Sequence, residues 1–161
     1  MARAKSVWGI DIGQCALKAL KLRDVGGQVQ VENFEVIEHP MILSQPEANR
    51  QELISEALGK FLEAASVDNS HVVIAVPGQS SFSRFVKLPP VEAKRIPDIV
   101  RFEAEQQIPF PMTEVIWRWQ TFQDPDSPDR EVGIFAMKRS DVAEMLSHYA
   151  GVSLPVDTVQ V

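Results

Sequence analysis

A chain of 161 residues, 45% hydrophobic and 24% charged, has the composition of a globular protein with room for one domain or two small ones. Its formal net charge of −6 argues against nucleic acid or an anionic membrane surface as the main partner, because phosphates are repelled on average. The single cysteine, Cys15, excludes an internal disulfide framework and fits a reducing compartment.

Arg3 and Lys5 precede a short apolar run that Asp11 interrupts at once, too short and too charged for an export signal. No stretch of about 18 apolar residues exists to span a bilayer. The expectation is therefore a cytoplasmic chain whose link to any membrane runs through a partner.

Val7 to Ile12 reads as a buried strand. Ala16 to Arg23 alternates, with Leu17, Ala19, Leu20 and Leu22 against Lys18, Lys21 and Arg23, and Gly26-Gly27 marks a hairpin turn. A third strand carries Val29, Val31, Phe34, Val36 and Ile37 and closes at Pro40. A helix is expected from Pro46. Its apolar stripe is Leu53, Ile54, Ala57, Leu58, Phe61, Leu62 and Ala65. His71 to Val76 is a continuous apolar strand, so the order to residue 78 is βββαβ.

Ser81 to Leu88 alternates, with Phe82, either Phe85 or Val86, and Leu88 as inward candidates. A helix is expected from Pro97, burying Ile96, Ile99, Val100 and Ala104, and ending at Pro109-Phe110-Pro111. Val115 to Phe122 alternates, with Val115, Trp117 and Trp119 on one side. Residues 124–129 read as an acidic loop, and Glu131 to Lys138 as a strand completing a hairpin. Ser140 or Asp141 caps the next helix, with Glu144 placed for a capping box and Gly151 as its stop. Val156 to Val161 reads as a final strand.

Two segments carry candidate chemistry. In Gly9-Ile10-Asp11-Ile12-Gly13-Gln14-Cys15-Ala16-Leu17-Lys18 a strand runs into a tight turn and out again. Such a turn aims backbone N–H groups at a phosphate, Asp11 is placed for a metal-bound water, and Lys18 offsets phosphate charge. An ordinary hairpin turn with a capping aspartate accounts for the same residues. The second segment, Arg101 to Pro111, is an amphipathic helix with a rigid aromatic stop. It is either the wall of a peptide groove or a helix packed on a sheet with Phe110 in the core. His39, His71 and His148 lack metal-ligand spacing.

At these segments the sequence resembles a known family. Gly9-Ile10-Asp11-Ile12-Gly13 and the βββαβ order resemble the opening of the actin, Hsp70 and sugar-kinase superfamily. Ile74-Ala75-Val76-Pro77-Gly78, then Arg101-Phe102-Glu103-Ala104-Glu105-Gln106 through Ile108-Pro109-Phe110-Pro111, resembles the PilM family of type IV pilus assembly proteins, relatives of the cell-division protein FtsA.

The resemblance implies a mixed α/β fold. Residues 1–79 and 153–161 would form a first actin-like, ribonuclease H-like subdomain. Residues 80–152 would form an inserted strand-helix-strand-strand subdomain, and a second lobe would be absent. It implies a cytoplasmic component of the inner-membrane pilus platform that binds the N-terminal tail of a PilN-like membrane protein. Phe102, Gln106 and Phe110 are the expected partner-binding residues.

In the complete protein ATP and magnesium would be held by Asp11, through a metal-bound water, and by Gly13, Gln14, Cys15 and Lys18. This fragment, ending before the second phosphate loop, would have no catalytic residue, bind ATP feebly and turn nothing over. Gln14 and Cys15 depart from the small hydroxyl residues usual there, and a neutral thiol donates weakly. Rival readings are a sugar-kinase-like phosphotransferase of the same superfamily and a nucleotide-independent scaffold domain.

Overall fold

A computed structural model describes residues 6–123 and 130–160. Arg3, Lys5, the acidic loop 124–129 and Val161 lie outside the described residues. The chain divides into two compact units, one of residues 1–77 and 144–161 and one of residues 78–143.

The first unit is built on a five-stranded sheet, β3-β2-β1-β4-β8, from β1 (Ser6–Ile12), β2 (Ala16–Val25), β3 (Gln28–Glu38), β4 (Ser70–Ala75) and β8 (Thr158–Gln160). β1 pairs antiparallel with β2 and parallel with β4. A parallel pair needs a long crossover, and α1 (Arg50–Ala64) supplies it. Leu53, Ile54, Ala57, Leu58 and Phe61 form the buried stripe of α1. They join Trp8, Ile10, Leu17, Val72 and Ile74 in one core. The Trp8 and Phe61 rings meet edge to face at 5.1 Å, and the indole N–H donates to the Ser66 carbonyl at 3.1 Å.

Period two is stricter than the sequence pattern implied. Leu17, Ala19 and Lys21 stand opposite Ile12, Ile10 and Trp8, on the core side. Lys21 therefore lies on that side after all, its ammonium 5.7 Å from the Trp8 ring centroid. Leu20 and Leu22 fall on the other face with Val31, Phe34 and Val36. One extra residue, Glu32, bulges between the pairs Lys21–Asn33 and Leu22–Val31, which keeps Val31 and Phe34 on one face. Glu32 accepts from Ser6 Oγ at 2.6 Å and pairs with Arg23 at 2.8 Å.

The second unit is a three-stranded antiparallel sheet, β5-β7-β6, from β5 (Phe82–Leu88), β6 (Val115–Gln123) and β7 (Arg130–Lys138), with α2 (Ile96–Gln107). Ile96, Val100 and Ala104 of α2 share a core with Leu88, Val132 and Ile134. Val86, not Phe85, is the inward residue of β5, because it shares parity with Phe82 and Leu88.

Helix starts differ from the sequence expectation. α1 begins at Arg50 rather than Pro46, because Asn49 caps it: its side-chain oxygen accepts from the Glu52 N–H at 3.4 Å. α3 (Arg139–Gly151) begins directly after β7, without the expected cap at Ser140 or Asp141. Met145, Leu146 and Tyr149 of α3 pack in the first core, so the division between units falls at 143/144 rather than at residue 152. Asn49→Ala is expected to lower stability by about 1 kcal/mol, and Phe61→Ala by about 3–5 kcal/mol. Urea unfolding followed by circular dichroism measures both.

Candidate functional site

The turn between β1 and β2 is held from behind. Gly13 N–H closes it on the Ala16 carbonyl at 3.0 Å. The Gln14 carbonyl accepts from Leu43 N–H at 2.9 Å, and the Cys15 carbonyl from His39 N–H at 2.8 Å. In a trans peptide the N–H points opposite to its own carbonyl. The N–H groups of Cys15 and Ala16 therefore point away from the 39–43 segment. Space at Gly13 is tight: a Cβ there would sit 3.2 Å from the Ala16 carbonyl oxygen, which would have to give by a few tenths of an ångström, and 3.9 Å from Asp11 Oδ2.

Asp11 and Lys18 are directly paired across β1 and β2 on the face opposite Ile10. Among the described residues no ion pair within 4.0 Å engages either. Asp11 is half-buried, whereas Gln14, Cys15 and Lys18 are exposed. A carboxylate and an ammonium paired across two strands beside a tight turn are the residue types that a phosphate with a metal-bound water would need. Bound there, magnesium would offset phosphate charge. Among the described residues no group of three or more His, Cys, Asp or Glu side chains forms a metal cluster.

Two residues near the turn were not singled out from sequence. Tyr149 is fully buried, and burial pushes its phenol far above the ordinary value, with the Asp11 carboxylate adding to the shift. His39, whose backbone ties the turn, has a buried ring with neither nitrogen hydrogen-bonded among the described residues. In the sequence, spacing at i, i+3, i+4 and i+7 with Val142, Met145 and Leu146 makes Tyr149 only a member of a helix's apolar stripe, and nothing local distinguishes His39.

The second candidate segment lies in the other unit. Phe102 and Gln106 are one turn apart on α2, and both are exposed. Phe102 is 58% accessible, while Val100 and Ala104 take the core side. Arg101 and Glu105 clamp the same outer surface at 3.2 Å. Phe110 is separated from them: it packs partly into the second core, with the Lys138 ammonium 4.5 Å from its ring centroid.

Solved structures share this fold. The PilM protein of a PilM–PilN type IV pilus biogenesis complex matches with a TM-score of 0.72 at 23% identity, covering 96% of this chain and 47% of that one. The cytoplasmic domain of EpsL, an inner-membrane component of the type II secretion system of Vibrio cholerae, matches with a TM-score of 0.55 at 12% identity, covering 96% and 57%. The chain shares its fold with these solved relatives and spans about half the length of each. The family model of type IV pilus assembly protein PilM matches residues 9–161. This chain belongs to that family.

Tyr149 gives the site a pH signature. Its folded pKa is raised, so the unfolded chain ionises first, from about pH 10.0 upward. This contribution to stability is complete below that pH and is lost as pH rises through it. Wild type is expected to lose stability relative to Tyr149→Phe above about pH 10 and not below it. Urea titrations at pH 8 to 11 check this.

Proposed function

We propose that this chain is part of a cytoplasmic component of the inner-membrane pilus platform, and that it binds the N-terminal tail of a PilN-like membrane protein. The observation that carries the reading is the family match, which runs continuously through both units and includes the Arg101–Pro111 segment. A solved relative that shares the fold comes from a complex with PilN. No helix among the described residues is long and apolar enough to cross a membrane, so the link to the bilayer would pass through that partner.

Phe102 supports the binding role physically. A large apolar side chain left in water on a helix gains its transfer energy only when something covers it, and exposed aromatics are the usual anchors of an interface. Gln106 beside it offers an amide for the backbone of an extended peptide. Phe110 would act from its half-buried position by shaping the surface.

A labelled PilN-like tail peptide titrated into the protein tests this. Phe102→Ala is expected to weaken binding about tenfold or more, and Gln106→Ala less. Phe110→Ala is to be read only after circular dichroism shows the fold intact. Unchanged affinity in all three would remove these residues from the partner surface.

The β1–β2 turn supports a second property, nucleotide binding in the complete protein. Asp11 would orient a metal-bound water, Lys18 would neutralise phosphate charge, and the backbone of residues 14 and 15 would donate to phosphate oxygens, the Gly13 N–H being taken by the Ala16 carbonyl. A nucleotide held between lobes would bias their angle and so the affinity for the tail. This chain would supply one side of such a site. Isothermal titration with ATP and magnesium is expected to show no micromolar binding to it and no turnover. In the complete protein Asp11→Ala and Lys18→Ala are expected to weaken ATP binding. Micromolar affinity in the fragment would contradict the reading.

A further inference from the structure

β3 is an outer strand of the five-stranded sheet, and among the described residues nothing pairs with its other edge. An open edge offers a row of unpaired backbone groups to another strand, and edges are usually blunted by lysine, proline or short length. β3 has none of these. It runs for 11 residues, QVQVENFEVIE, without lysine, arginine or proline. Its one irregularity is the bulge at Glu32.

The register decides which backbone groups face outward. His39 N–H donates to the Cys15 carbonyl, one step beyond the pair Ala16–Glu38. Bonded and open pairs alternate in an antiparallel ladder. Leu17–Ile37 and Ala19–Glu35 are therefore bonded pairs, and Phe34 and Val36 turn their N–H and C=O groups to the free edge. Phe34 N–H accordingly donates to Oδ1 of its neighbour Asn33 at 2.8 Å rather than to β2. Before the bulge, the two-residue Gly26-Gly27 turn closes on the pair Val25–Gln28, so Val29 and Val31 also turn outward. The residues with free backbone groups are thus those with the exposed apolar side chains. Val29 is 70% accessible, Val31 62%, Phe34 68% and Val36 58%.

A strand laid on this edge meets those four residues on one face, so it needs apolar residues at alternate positions there. β3 itself has that pattern. With Glu32 as the bulged residue, an antiparallel copy centred on Asn33 sets Val31 opposite Phe34 of the second copy, and Val29 opposite Val36. On the other parity Gln30 stands opposite Glu35, Gln28 opposite Ile37, and Asn33 meets its own counterpart. No acid stands opposite an acid. Glu32 is turned back onto Arg23 and Ser6, and Glu38 lies beyond the paired run. The pairing is reciprocal, as a two-fold interface requires.

We propose that two copies of this chain join edge to edge through β3, antiparallel and centred on Asn33, into one continuous sheet. Each copy carries a net charge of −6, so the copies repel at long range and salt tightens the dimer. The proposal rests on the first unit alone and does not depend on the tail-binding or nucleotide readings.

Sedimentation velocity of the full chain, over about two decades of concentration up to about 0.1 mM, tests it. A monomer–dimer equilibrium that tightens with salt is expected. Val31→Lys and Phe34→Glu, both at exposed positions, are each expected to weaken the dimer about tenfold. Mixing the two variants is expected to restore it, because the register sets the new lysine opposite the new glutamate. Asn33→Cys in a Cys15→Ser background is expected to form an intermolecular disulfide under mild oxidation, since an open antiparallel pair brings the Cα atoms to about 4.5 Å. This cross-link decides the matter if a charge variant fails to fold. A wild-type chain that stays monomeric throughout, a dimer that both charge variants leave intact, a mixture no tighter than its separate components, or a missing cross-link would overturn the proposal.

Discussion

The central constraint is the burial of alternate residues of β1. Trp8 and Ile10 are sunk in the core under α1, so Gly9 and Asp11 must face the other way. That parity places Asp11 opposite Lys18 and beside Ala75, at the end of two strands that run parallel. A shift of one residue in β1 would bury the aspartate and expose the tryptophan. The polar turn is therefore positioned by packing at Trp8, Ile10 and Phe61 rather than by interactions of its own side chains.

The turn is fixed a second time from behind. Backbone N–H groups of His39 and Leu43 take two of its carbonyls. Gly13 leaves room for that arrangement. Tyr149 joins the same neighbourhood from α3, a helix far along the chain whose second half packs in the first core.

Both sheets present apolar residues on two faces. In the first unit Leu20, Val31, Phe34 and Val36 line the face away from Trp8 and Ile10, and Phe34 is 68% exposed. In the second unit Phe85, Phe122 and Phe135 lie on the face opposite α2. Mixed sheets with a parallel core usually bury both sides, and exposed apolar surface on this scale marks a place where other protein packs.

By itself the sequence determined the element order and most of the core. The β1 run and the α1 stripe are unambiguous because burial repeats at 2.0 or 3.6 residues, and both periods are visible locally. The fold and family were also legible, through the Gly9–Gly13 and Arg101–Pro111 segments. Tertiary structure alone decided which face the ambiguous residues took. Lys21 and Leu20, or Phe85 and Val86, are adjacent pairs whose sides depend on strand register, and register is set by partners distant in sequence. The start of α1 was decided by the Asn49 cap, a hydrogen bond that competes with the turn at Pro46. The convergence of Asp11, His39 and Tyr149 around one turn had no sequence signal at all, because only the packing of β3 and α3 against β1 and β2 brings them together.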